Sequence, residues 1–76
     1  MNPRVKEVKP EKNYILRLYF TNGEVRLFDM KPYLNLGIFK ELTDEALFNS
    51  VRPDGLSVEW ANEASICPDT LYLNSY

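Results

Sequence analysis

The residues able to carry chemistry are few. The chain has 76 residues and no histidine. That removes the commonest general base, the commonest metal ligand and the relay of a Ser-His-Asp triad. Cys67 is the single cysteine, set between Ile66 and Pro68. With no histidine to activate it, it reads as a small buried hydrophobe. One cysteine and no histidine cannot build a tetrahedral zinc site. Carboxylates are numerous but scattered. Asp44-Glu45 reads as the start of a helix, Asp54 as part of a turn, and Asp69 as lying near another helix start. No Asp-x-Asp-x-Asp-Gly calcium loop occurs. Gly23, Gly37 and Gly55 each sit at a turn and form no phosphate-cradling loop. The expectation is therefore no catalytic residue, no cofactor and no metal, and a protein that is not an enzyme.

The side chains that could act do so by contact. Ile15, Arg17, Tyr19, Arg26 and Phe28 alternate with apolar residues in two consecutive runs. If those runs pair as a hairpin, Arg17, Tyr19, Arg26 and Phe28 become a mixed Arg–aromatic face. Such a mixture suits a protein interface, because arginine and aromatics are enriched at interface hot spots. It could also stack single-stranded nucleic acid. The same pairs can be purely structural, as cross-strand cation–aromatic contacts. These four residues are the candidate interaction face.

The elements that would position them follow from the pattern. Tyr14 to Phe20 alternates, as does Glu24 to Phe28, with Thr21-Asn22-Gly23 between. Asn-Gly in a two-residue loop predicts a type I′ hairpin turn. That loop sets Phe20 against Val25, Leu18 against Leu27 and Leu16 against Asp29. The inner face would be Leu16, Leu18, Phe20, Val25 and Leu27. Upstream, Arg4 to Lys9 reads as a lysine-rich edge strand ended by Pro10, with a bulge to reconcile Val5 and Val8, three residues apart.

Downstream the period becomes helical. Asp29 can cap a turn beginning Met30-Lys31-Pro32, and Gly37 stops it. Ile38 to Leu42 reads as a further turn, and Thr43 or Asp44 caps Glu45 to Asn49. A Pro53-Asp54-Gly55 turn then leads to Leu56-Ser57-Val58-Glu59-Trp60, with Leu56, Val58 and Trp60 on one face and Trp60 in the core. Ile66-Cys67 is a short apolar link. Pro68 opens a closing helical turn. The predicted architecture is one α+β domain over residues 1–76. Its two layers are an antiparallel sheet of about five strands and helices on one face, in the order three strands, helices, two strands and a short helical turn.

Charge adds one feature. The net charge is −2. Residues 1–31 hold seven cations against four carboxylates, or +3, and residues 32–76 hold two against seven, or −5. A dipolar surface of this kind can steer a partner or a second copy of the chain. No apolar run approaches the roughly 18–20 residues of a membrane-spanning helix, and no apolar signal core follows Met1-Asn2-Pro3-Arg4. A lone cysteine fits a reducing cytosol.

In order and spacing the chain resembles a bacterial family known as domain of unknown function 2442. The resemblance rests on Tyr14-x-Leu16-x-Leu18-x-Phe20-x-Asn22-Gly23-Glu24-x-Arg26-x-Phe28-Asp29, Pro32-Tyr33-Leu34, Gly37-x-Phe39-x-x-Leu42, Leu47-Phe48, Val58-x-Trp60 and Ile66-x-Pro68-x-x-Leu71-Tyr72. It implies a small stand-alone α+β domain with no established catalytic residues. Members of the resembled family are often encoded beside a small protein of domain of unknown function 4160, in pairs organised like toxin–antitoxin modules. The resemblance assigns this type of domain the antitoxin role. The expected partner is thus another protein, such as a small toxin encoded nearby, or a second copy as a homodimer, with no membrane. The alternatives are nucleic-acid binding through the basic first half, and a small-ligand sensor or enzyme with a pocket near Trp60 and Tyr72.

Overall fold

A computed structural model describes residues 3–55 and 57–76. Three strands open the chain: β1 (Val5–Glu11), β2 (Ile15–Phe20) and β3 (Val25–Asp29). They form one antiparallel sheet in the order β1-β2-β3. Short helical segments follow at Lys31–Tyr33 and Gly37–Thr43, both 3-10, and then α1 (Glu45–Phe48). A second antiparallel sheet contains β4 (Arg52–Asp54), β5 (Ser57–Glu59) and β6 (Ser65–Ile66), and α2 (Pro68–Leu73) closes the element order. The class is α+β. The expected single sheet of about five strands is instead two sheets of three, because Ser65–Ile66 pairs with β5 and neither β4 nor β5 joins the first sheet.

β1 shows why these residues form an edge. Its register shifts between Val5 and Glu7, and this bulge lets Val5 and Val8 both turn inward. Pro10 does not end the strand; it pairs opposite Leu16, and β1 runs on to Glu11. Phe20 N–H donates to Glu24 O, and Met30 N–H donates to Tyr14 O. Even-numbered β2 residues therefore hydrogen-bond toward β3, and odd-numbered ones face β1. Pro10, opposite an even-numbered residue, has its nitrogen turned away from β2, so the ladder loses no donor.

The hairpin turn decides the faces. The β2–β3 register is Leu16 with Phe28, Leu18 with Arg26 and Tyr19 with Val25. That is one residue away from the two-residue-loop expectation. Gly23 N–H donates to Phe20 O at 3.0 Å, and Gly23 has φ +89°. This is a three-residue loop, a turn across Phe20–Gly23 followed by a left-handed glycine that forms a bulge. Asn22 Oδ1 accepts from Glu24 N–H at 3.0 Å and closes the loop. A slip of one residue moves the whole of β3 to the opposite face. Phe28 is consequently buried and Val25 is 55% exposed.

The core lies between the two sheets and the helical segments. It gathers Val5, Val8, Leu16, Leu18, Phe20 and Phe28 from the first sheet and Val58 and Ile66 from the second. Met30, Leu42, Phe48, Val51, Trp60, Ala64 and Leu71 complete it. Trp60 is fully buried, as its alternation predicts, and its indole N–H donates to Phe48 O at 3.1 Å. Leu56, expected beside Val58 and Trp60, lies outside the described residues. Ser57 is buried as well, and its hydroxyl donates to Ile66 O across the sheet. Asp44 caps α1 as expected, with Oδ1 accepting from Ala46 N–H at 3.0 Å. Asp29 Oδ1 accepts from Lys31 N–H and starts the first 3-10 turn. Gly37 opens the next such helix and does not merely end the preceding one. Cys67 is exposed: Ile66 takes the inward position in β6, and Cys67 follows it at the α2 boundary.

Candidate interaction face

The register separates the four candidate residues into two pairs. Arg17 and Tyr19 lie on the outer face of the first sheet. Arg26 and Phe28 face the core side, opposite Leu18 and Leu16. The candidate face of Arg17, Tyr19, Arg26 and Phe28 is therefore not one surface, because the left-handed Gly23 adds a residue to the loop and turns β3 over.

The inward pair has structural work. Phe28 is 1% exposed and stacks on Tyr33 with ring centroids 5.4 Å apart. Arg26 ties α2 to the hairpin. Its Nε donates to Glu24 Oε2 at 2.6 Å, and its guanidinium lies 4.3 Å over the Tyr72 ring. Arg26 also donates to the Tyr72 hydroxyl at 3.3 Å, and that hydroxyl donates to Glu24 Oε1 at 3.2 Å. The Arg26 hydrogen bond holds the Glu24 carboxyl below the usual carboxylate range, against a smaller opposing effect of desolvation and with further help from Tyr72. Phe20 meets the Tyr72 ring edge-on at 5.1 Å.

The outer face is built from alternate residues of all three strands. Glu7, Lys9 and Glu11 lie opposite Tyr19, Arg17 and Ile15. These in turn lie opposite Val25, Leu27 and Asp29. Tyr19 and Val25 are directly opposite in a non-hydrogen-bonded pair, the arrangement in which side chains approach most closely. Leu27 sits diagonal to both Tyr19 and Ile15. Ile15, Tyr19, Leu27 and Val25 thus share this face, with Arg17 between Ile15 and Tyr19. Charged residues accompany them: Arg17 Nε lies 3.2 Å from Glu11 Oε2, and Lys9 Nζ stands 5.9 Å from the Tyr19 ring centre. Two shallow depressions indent this side. One of about 480 Å³ is bordered by Lys9, Tyr19 and Val25, and one of about 330 Å³ by Ile15, Arg17 and Leu27. Alternation with a two-residue loop places Val25 and Leu27 in the core. Only the hydrogen bond that defines the loop reveals them as part of this face.

In the region around Trp60 and Tyr72, Trp60 is fully buried and the Tyr72 hydroxyl is bonded to Glu24 and Arg26. A separate cleft of about 490 Å³ lies beside the Lys12–Tyr14 turn and α1. Its wall includes Tyr14, which has φ +60°. The ring of Tyr14 packs edge-on against Phe48, and its hydroxyl donates to Thr43 O at 2.6 Å. Among the described residues, every buried side-chain nitrogen and oxygen has a hydrogen-bond partner, and no group of three carboxylate or thiol side chains converges as a metal site would require. No helix among them is long and apolar enough to cross a membrane.

No curated protein and no solved structure matches the chain. A family model does, described as protein of unknown function (DUF2442), over residues 5–76. That span takes in both sheets, the Gly23 hairpin and the outer face built on it, and the chain belongs to this family.

Proposed function

We propose that this domain is a protein-binding module, not an enzyme, and that it acts through the outer face of its first sheet. The observation that carries the reading is the composition of that face. An antiparallel sheet with one side on the core ordinarily shows polar residues on the other. Here the solvent side presents an exposed Val25 with half-buried Ile15, Tyr19 and Leu27 around a central Arg17, and Lys9, Glu7, Glu11 and Asp29 border them. Exposed apolar patches with polar rims mark association surfaces, and a tyrosine beside an arginine is typical hot-spot composition.

The finer form of the proposal is an antitoxin-like role toward a small protein encoded nearby. It is supported by the paired-gene organisation that the family resemblance implies and by the charge asymmetry between the two halves of the chain. Nucleic acid is the weaker alternative. Among the cations of residues 1–31, Arg17 is held by Glu11, Arg26 by Glu24 and Lys31 by Asp29. Neutralised in this way, they contribute less to a phosphate-binding field.

Co-expression with the product of the adjoining reading frame, followed by size exclusion, tests the proposal. Co-elution at low and moderate salt is expected, with Tyr19→Ala weakening the complex by about tenfold or more. Failure to co-elute at either salt would sink it.

A further inference from the structure

The outer edge of β3 carries a second feature. Leu27 N–H donates to Tyr76 O at 2.8 Å, and Tyr76 N–H donates to Leu27 O at 2.8 Å. Two reciprocal bonds between one pair of residues define an antiparallel hydrogen-bonded pair. Tyr76 thus pairs with the outer edge of β3 as a residue of an added strand would. Its side chain shares the outer face with Leu27, extending that face by one column, and it is 69% exposed.

The ladder fixes what else this edge offers. Glu24 and Met30 spend their backbone bonds on β2, and so by alternation do Arg26 and Phe28. The N–H and C=O groups of Val25, Leu27 and Asp29 therefore point away from β2, and Tyr76 covers the central set. Edge strands with outward backbone groups are templates for pairing, and folded proteins usually blunt them. Among the described residues the cover is the Leu27–Tyr76 pair.

We infer that the β3 edge accepts an extended segment of a protein partner as an added antiparallel strand, displacing Tyr76. This deepens the binding-module reading and rests on it. The seat is defined by Tyr76 itself. A partner residue in its place pairs with Leu27, and the residue two positions later pairs with Val25. Both side chains emerge on the outer face, the first beside Leu27 and the second beside Val25, which separates it from Tyr19 on β2. The occupant is thus a strand with large apolar residues at alternate positions, recognised by main-chain bonds with side-chain contacts for selectivity. An extended peptide fits better than a second copy of the whole domain. Tyr72 reaches Glu24 and Arg26, so α2 stands over the core side of this same edge. An added strand needs only roughly 4.8 Å of lateral space.

Cys67 gives a ligation point for the test, so that the full chain can be made with N-methyl-Tyr76, which removes one of the two latch bonds and no side chain. The probe is a labelled peptide, Lys-Ser-Tyr-Thr-Val-Thr-Lys, read by fluorescence anisotropy and amide chemical shifts. The expected result is binding about fivefold tighter to the N-methylated chain than to the unmodified one, the size of one lost hydrogen bond. The Val25 and Leu27 amides should move, and a peptide N-methylated at its own tyrosine should bind about fivefold more weakly than the unmethylated peptide. Equal affinity for both chains, no saturable binding to either, or shifts away from Val25 and Leu27 would overturn the inference. So would dimerisation of the N-methylated chain in sedimentation without peptide binding. Because N-methylation spares the side chains, loss of strand addition while the folded partner still co-elutes would refute the edge and leave the face standing.

Discussion

Replacing Phe28 with alanine and, separately, Leu27 with alanine tests the register on which the outer face depends. Phe28 is 1% exposed and stacks on Tyr33. Truncating a buried phenylalanine costs about 3–5 kcal/mol, the lost transfer energy plus the cavity left behind. Leu27 is half-buried on the outer face. Removing its outer carbons forfeits about 1 kcal/mol, since each buried methylene contributes about 0.8 kcal/mol and Leu27 is only partly covered. The gap between the two variants is therefore at least about 2 kcal/mol. For a chain of 76 residues the total stability is about 4–11 kcal/mol. Phe28→Ala should remove a large part of it and lower Tm by roughly 12–40 °C. Urea denaturation followed by Trp60 fluorescence, with m unchanged, measures both. If the hairpin instead closed through a two-residue loop, Leu27 would face Leu18 in the core and Phe28 would face solvent. Leu27→Ala costing as much as Phe28→Ala, or more, would refute the reasoning.

Three further outcomes follow from single contacts. Gly23→Ala should destabilise by about 1 kcal/mol in the same urea assay; Gly23 has φ +89° and an added Cβ meets no atom within 4 Å, so the cost is backbone strain alone. Trp60→Phe removes the indole donor to Phe48 O and should cost about 1–3 kcal/mol beyond the lost volume, read by thermal melting in circular dichroism. Glu24 has its folded pKa depressed, chiefly by Arg26, so its stabilising contribution is present above the unfolded carboxylate pKa and is lost as pH falls through the lower folded value. Urea midpoints from pH 7 down to pH 3 should therefore decline less steeply at the acid end for Glu24→Gln than for the parent, and identical slopes would count against the Glu24–Arg26–Tyr72 tether.

Much of the fold was legible because local chemistry and pattern agreed. The three-residue spacing of Val5 and Val8 demanded a bulge, and the register shift lies there. Asp44 could be read as a cap, and its carboxylate accepts from Ala46 N–H. The alternation of Val58 and Trp60 placed both in the core, where they are. The face of β3 was not legible, and the reason is physical. Thr21-Asn22-Gly23 can close a hairpin through two residues or three, since a left-handed glycine serves either loop. Both registers bury one large apolar residue of β3, Leu27 or Phe28, so periodicity could not choose. β6 is two residues long and has no period to detect. Pro10 was read as a stop because its missing N–H counts only against a residue bonded to its neighbour, and that depends on which way Leu16 faces. The Tyr76 pairing joins residues 49 positions apart in sequence through backbone atoms alone, which no side-chain pattern announces.

The proposed contact of this domain with a protein partner runs through Ile15, Arg17, Tyr19, Val25 and Leu27. Titrating the isotope-labelled chain with the purified product of the adjoining reading frame, and following every backbone amide, tests it most directly. Shifts are expected to concentrate at Arg17, Tyr19, Val25 and Leu27 and to be absent in the Tyr19→Ala chain at the same concentrations. Shifts confined instead to the exposed Leu36 and Ile38 at the start of the Gly37–Thr43 segment, with the first sheet unmoved, would contradict it.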